Sequence, residues 1–148
     1  MSAVGIRAIA ASDHDAWASL FAAYGAFYET DFAPEVIEST WVRLLDPAEG
    51  VDAIVAEVDG SVIGFAHYRS HPDTFSLGRD WFLDDLFVDP DSRGSGAATA
   101  LIEHLKQLAA STGPGTLRWI TAESNERAQR VYDRVAKRTT WVTYEVRA

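Results

Sequence analysis

The chain has 148 residues, with 22 Asp and Glu against 13 Lys and Arg, and a net charge of −9. The length suits one domain spanning 1–148, and the balance of 47% hydrophobic and 24% charged residues is that of a soluble globular fold. The absence of cysteine excludes disulfides and thiol nucleophiles, the scattered basic residues argue against nucleic acid, and no apolar run approaches the roughly 20 residues that cross a bilayer.

The N-terminal stretch MSAVGIRAIAASDHD lacks the basic region and long apolar segment of a secretory signal, which predicts a cytoplasmic protein. Val4 to Ile9 alternates as a first strand. Ser12 reads as the N-cap of a helix, with an acid three residues on. That helix carries Trp17, Leu20, Phe21, Tyr24 and Phe27 at helical spacing. Pro34 opens a second helix with Val36, Ile37, Trp41, Leu44 and Leu45, and Pro47 follows its end. Val51 to Val58 and Ser61 to Tyr68 flank Asp59-Gly60, a strong hairpin signal. Trp81 to Val88 is the next strand. Thr99 to Ala110 is an amphipathic helix stopped by Gly113-Pro114-Gly115. Leu117 to Ala122 reads as a strand, Asn125 to Lys137 as a helix, and Thr140 to Val146 as a closing strand. This order gives an α/β fold with a mixed sheet: an antiparallel hairpin, and a parallel pair across the strand–helix–strand unit.

The junction Arg93-Gly94-Ser95-Gly96-Ala97-Ala98 runs straight into a helix. A helix start presents unpaired N–H groups and partial positive charge. Glycines let an anion approach them, and Arg93 adds a cation. Phosphate binding is the physical expectation; a plain tight turn into the helix is the alternative. The dinucleotide fingerprint fails, because Thr99 holds its third glycine position, and no Gly-Lys-Ser/Thr of a Walker loop is present. His67, His71 and His104 lack metal-ligand spacing, so no metal is expected.

In Leu86-Phe87-Val88-Asp89-Pro90-Asp91-Ser92-Arg93 and the Gly94 to Ala98 loop, the chain resembles the GNAT superfamily of acetyl-CoA-dependent N-acyltransferases. That family's loop reads Arg/Gln-x-x-Gly-x-Gly/Ala. A second motif agrees: Asn125, Ala128 and Tyr132, the last seven residues after the first. The resemblance runs from about Asp80 to the end. In Asp84-Asp85-Leu86-Phe87-Val88 and Trp119 to Asn125 it is most similar to the small-amine branch, which includes spermidine/spermine N-acetyltransferases. One departure is Ala136-Lys137-Arg138-Thr139, where many members have glycine and an apolar residue.

The resemblance implies a mostly antiparallel sheet with a splayed parallel pair, flanked by about four helices. It implies acetyl-CoA as cosubstrate, held by Arg93, Gly94, Ser95, Gly96, Ala97 and Ala98 at the pyrophosphate. Leu86, Phe87, Val88, Asn125 and Ala128 would line the pantetheine arm. Tyr132 would be the general acid, since a phenol of pKa about 10 is protonated at neutral pH. Each role has a plainer counterpart: Asn125 as a helix start, Tyr132 as a core aromatic.

Asp84 stands two residues before Leu86, where the amine branch has an acid, and is the candidate to bind or deprotonate the amine. A regular pleat sends Asp85 elsewhere. Tyr24, Tyr28 and Glu29 are candidates for an acceptor pocket. The expected reaction is acetyl transfer to a primary amine of a small molecule, polyamine or amino-acid-like, in a ternary complex. The alternatives are a protein or peptide amine, and a non-catalytic acyl-CoA sensor. The β-prone C-terminus, a strand edge that needs covering, together with the C-terminal dimer contacts of similar proteins, suggests a homodimer.

Overall fold

The computed structural model describes residues 3–148. In chain order it has β1 (Gly5–Ala8), α1 (His14–Phe27), α2 (Pro34–Leu45), β2 (Asp52–Val58), β3 (Ser61–Pro72), β4 (Arg79–Val88), α3 (Ala97–Ala110), β5 (Gly115–Arg118) and α4 (Glu126–Val135). The five strands form one sheet in sequential order. Every neighbouring pair is antiparallel except β4 and β5, which run parallel. The expected mixed sheet is thus present. No helix among the described residues is long and apolar enough to cross a membrane.

The β2–β3 hairpin turns where the sequence places it. Asp59 and Gly60 both have positive φ, 51° and 80°, the pair of angles whose twist matches that of the flanking strands. Strand alternation then divides the core. Ala53, Val55, Phe65 and Phe87 face α1 and α2, meeting Trp17, Phe21, Trp41 and Leu44. Ile54, Ala56, Ala66 and Leu83 face α3, meeting Leu101, Ile102 and Leu105. Trp17, Phe65, Leu101 and Leu105 are fully buried, each worth roughly 1.5–3 kcal/mol relative to exposure.

The helix stripes are narrower than the sequence spacing suggests. Phe27, Val36 and Leu45 are exposed; all three fall in the first or last turn of their helices. Nor is Ser12 the cap of α1. A 3-10 turn at Ala11–Asp13 precedes the helix. The Asp13 carboxylate accepts from the Ala10 amide at 2.7 Å and from the Arg7 guanidinium at 2.7 and 2.9 Å. Arg7 holds this buried carboxyl below the usual carboxylate range, outweighing burial.

Two further departures decide the site. In β3–β4 the register runs Phe65 to Phe87, Ala66 to Leu86 and His67 to Asp85, and then jumps to Tyr68 opposite Leu83. Asp84 is the extra residue of a β-bulge; from Asp85 to Val88 the register is regular, so Asp85 lies on the α1 face with Phe87, opposite Leu86, as the pleat predicts. At the other end, Thr140 to Val146 is not a strand. No regular element follows α4, and Trp141, Val142, Tyr144 and Val146 are exposed. A strand requires an edge to pair with, and in the single chain this segment reaches none. β5 is also shorter than the Leu117 to Ala122 reading: it pairs only with Arg79 to Phe82 of β4.

Candidate active site

β4 and β5 stay together for four residue pairs and then part. β4 continues to Val88, while the chain after Arg118 leaves the sheet. The gap leaves the backbone of Leu86 to Val88 without a strand on its β5 side. It opens into a cleft of about 750 Å³. Leu86, Phe87 and Val88 form one wall, the loop Arg93 to Ala98 closes one end, and Asn125, Ala128 and Tyr132 of the α4 region form another wall. Tyr24 and Tyr28 of α1 also line it. The two sequence motifs, about thirty residues apart in the chain, therefore meet across one cavity.

The geometry of the loop suits an anion. Asp89 accepts from the Asp91 amide at 3.0 Å and fixes a 3-10 turn at Pro90–Ser92. Gly94 and Gly96 follow with φ of 84° and 83°, and a Cβ on either would meet nothing within 4 Å. The glycines are thus demanded by backbone conformation, and the space beside them is open. Gly96 caps α3. The amides of Gly94, Gly96, Ala98 and Thr99 have no acceptor among the described residues. Donors left over at a helix start, with Arg93 beside them, match a phosphate in geometry and charge. Among the described residues no Asp or Glu lines the cleft.

On α4, the Asn125 side-chain oxygen accepts from the Ala128 amide at 3.2 Å and caps the helix. Asn125 also lines the cleft, and its side-chain NH2 has no acceptor among the described residues. Helix-start and ligand roles are compatible here. Tyr132 lies one turn past Ala128, its ring edge-on to Trp119 at 5.4 Å. Burial raises its phenol pKa, with Tyr28 adding a smaller push. Tyr132 also lines a smaller recess with Tyr24, Tyr28, Asp84, Leu86, Trp119 and Thr121.

Asp84 borders this recess, and its carboxylate also takes the Arg69 guanidinium at 3.0 Å. Burial raises its pKa; Arg69 offsets this only in part. Asp85 reaches the same region by another route. Its Oδ1 accepts from the Tyr24 hydroxyl at 2.7 Å, and its Oδ2 contacts His67 Nδ1 at 2.9 Å. Burial pushes the Asp85 carboxyl up, but the bonds from His67 and Tyr24 win and hold it below the usual range. Glu29 lines neither cavity; it sits exposed in the turn after α1 with φ of 57°.

Sequence reasoning missed the buried chain Trp17–His67–Asp85–Tyr24. The signal that could have found it was a histidine and an aspartate on neighbouring strands, visible only once the bulge fixes their register.

A model of the acetyltransferase (GNAT) family matches residues 14–136. The chain belongs to that family. A D-amino-acid N-acetyltransferase of Saccharomyces cerevisiae is 34% identical over 95% of this chain and 88% of its own. A solved probable acetyltransferase superposes with a TM-score of 0.86 at 27% identity, covering 97% of both chains. The ribosomal-protein-alanine N-acetyltransferase of Brucella melitensis biovar Abortus 2308 gives 0.81 at 26%, covering 99% of both. This GNAT protein is an acyltransferase, and enzymes of its family use acetyl-CoA as acyl donor. The parting of β4 from β5 leaves an elongated slot beside Leu86 to Val88. The loop's spare amides and the uniformly non-acidic lining fit the donor's phosphates.

Proposed function

We propose that the enzyme transfers an acetyl group from acetyl-CoA directly to the primary amine of a small molecule, amino-acid-like or polyamine. The observation that carries this is the adjacency of two cavities sharing Tyr24, Tyr28, Leu86 and Tyr132. One is an anion-binding cleft for the donor. The other is a small recess with one carboxylate, Asp84, suited to a cationic amine. The D-amino-acid specificity of the yeast relative supports an amino-acid-like acceptor.

In this reading Arg93 and the Gly94 to Ala98 amides bind the pyrophosphate. The free backbone of Leu86 to Val88 and the Asn125 amide orient the pantetheine arm, with Ala128 keeping that wall small. A β4 amide polarises the thioester oxygen. Asp84 binds the ammonium and takes its proton, directly or through water. The amine nitrogen then bonds to the carbonyl carbon as the carbon–sulfur bond breaks. Tyr132, kept protonated by its raised pKa, delivers a proton to the leaving sulfur. Tyr24 and Tyr28 wall the acceptor side, and Tyr24 is fixed there by Asp85.

The functional unit in this reading is a homodimer. Residues 136–148 carry Lys137, Arg138 and Arg147 against Glu145, a net +2, which leaves −11 on the rest of a chain whose total is −9. This basic segment with exposed Trp141, Val142, Tyr144 and Val146 is suited to add to the acidic body of a second copy, where β5 presents an open edge.

The test is thiol release from acetyl-CoA against amino acids of both hands, polyamines, aminoglycosides and a basic peptide. Turnover with one class of small amine supports the proposal. Turnover confined to the peptide would favour a protein-amine enzyme, as the name of the Brucella neighbour suggests. Tight acetyl-CoA binding without release from any acceptor would move the reading to a sensor.

A further inference from the structure

The main cleft is more basic than its phosphate loop requires. Its lining includes Arg93, Arg127, Arg130 and Arg134 and not one carboxylate, in a chain where acids outnumber Lys and Arg by 22 to 13. None of the four arginines has an ion-pair partner among the described residues. Arg127, Arg130 and Arg134 fall at i, i+3 and i+7 of α4, one helix face spanning about 10 Å at 1.5 Å per residue. Like charges at such spacings weaken a helix. All three are exposed and line the cleft, so an anion entering it would meet guanidinium groups with no competing ion pair among the described residues.

Which anion follows from what is already provided. The loop amides and Arg93 serve the pyrophosphate. Among the described residues no arginine lines the acceptor recess, so the α4 stripe does not serve an acceptor carboxylate there. The donor carries one further anionic group, the 3′-phosphate of its ribose, with a charge of about −1.5 to −2 at neutral pH if it titrates like other phosphate monoesters.

We propose that Arg127, Arg130 and Arg134 form a second anion site on the α4 wall, for the 3′-phosphate of acetyl-CoA. The site selects the 3′-phosphorylated donor over its dephosphorylated precursor. It rests on the acetyl-CoA reading of the cleft.

Titration calorimetry without acceptor decides it, using acetyl-CoA and acetyl-3′-dephospho-CoA. The wild-type protein is expected to bind acetyl-CoA at least tenfold more tightly. The triple variant R127Q/R130Q/R134Q, its helix content checked by circular dichroism, is expected to bind the two ligands within twofold of each other. Equal binding of both by the wild type overturns the site and leaves the acetyl-CoA reading standing. So does a preference that survives in the triple variant. Binding of neither ligand by the wild type removes the acetyl-CoA reading and this site with it. The wild-type comparison needs no variant to fold.

Discussion

Trp17 and His67, fifty residues apart in sequence, share a buried 2.9 Å hydrogen bond that sets the imidazole tautomer. An indole N–H only donates, so His67 Nε2 must accept. The ring proton then sits on Nδ1 and is donated to Asp85 Oδ2 at 2.9 Å. With the Tyr24 hydroxyl on Oδ1, Asp85 receives two donors and stays ionised. Trp17→Phe removes the indole donor and leaves a void. A loss of about 3 kcal/mol in denaturant unfolding is expected. Nitrogen NMR of His67 should show the Nδ1–H form giving way to a mixture. An unchanged tautomer would refute the chain of bonds.

Asp85 also predicts an acid-sensitive term. Its folded pKa lies below that of the unfolded chain. Its contribution is therefore fully present above the unfolded value of about 3.9 and is lost as pH falls through the folded one. The stability difference between wild type and Asp85→Asn should shrink steadily below about pH 4. A difference that does not change with pH would mean that Asp85 is not held ionised by its partners.

Tyr132→Phe should lower kcat by about 10²-fold or more, the usual contribution of a positioned acid. The Kd for acetyl-CoA should stay within twofold, since the ring and its edge contact with Trp119 remain. Because burial raises the phenol pKa, the alkaline fall in wild-type kcat should lie above the ordinary phenol value of about 10. A variant with undiminished turnover would remove Tyr132 from the chemistry.

Gly96→Val places a β-branched residue at a φ of 83°, which L side chains resist by roughly 1–2 kcal/mol. Nothing lies within 4 Å of the added Cβ, so the fold should survive with a slightly lower Tm. The loop amides would be misdirected, and the Kd for acetyl-CoA should rise tenfold or more. Unaltered affinity would mean that the loop does not grip the pyrophosphate.

Truncation after Ala136 removes the exposed segment with Trp141 and Tyr144. Light scattering at micromolar concentration should find the full chain dimeric and the truncated one monomeric. A dimer that persists after truncation would place the interface elsewhere.

The Arg93 to Ala98 loop was legible because its pattern is local: two glycines, an arginine and a helix start lie within six residues. The Asn125 to Tyr132 spacing was equally local, fixed by a cap and two helical turns. Asp85 was not. Its pairing with His67 depends on one inserted residue opposite His67 and Tyr68, and nothing in Asp84-Asp85 marks which residue is the extra one. The arginines of α4 were visible as letters, but their common exposure to the cleft depends on where β5 parts from β4.

The sequence by itself determined the hairpin turn, the glycine-bearing junction before α3 and the helix carrying Tyr132. Each rests on backbone preferences or periodicities spanning a few residues. Only the tertiary structure decided that Asp85 binds Tyr24 and His67, that Asp13 and not Ser12 stands at the start of α1 with its carboxylate turned back to Ala10 and Arg7, and that the C-terminal segment finds no strand within its own chain. Those outcomes depend on registers and edges brought together from distant parts of the chain, where a shift of one residue turns a side chain from one face of the sheet to the other.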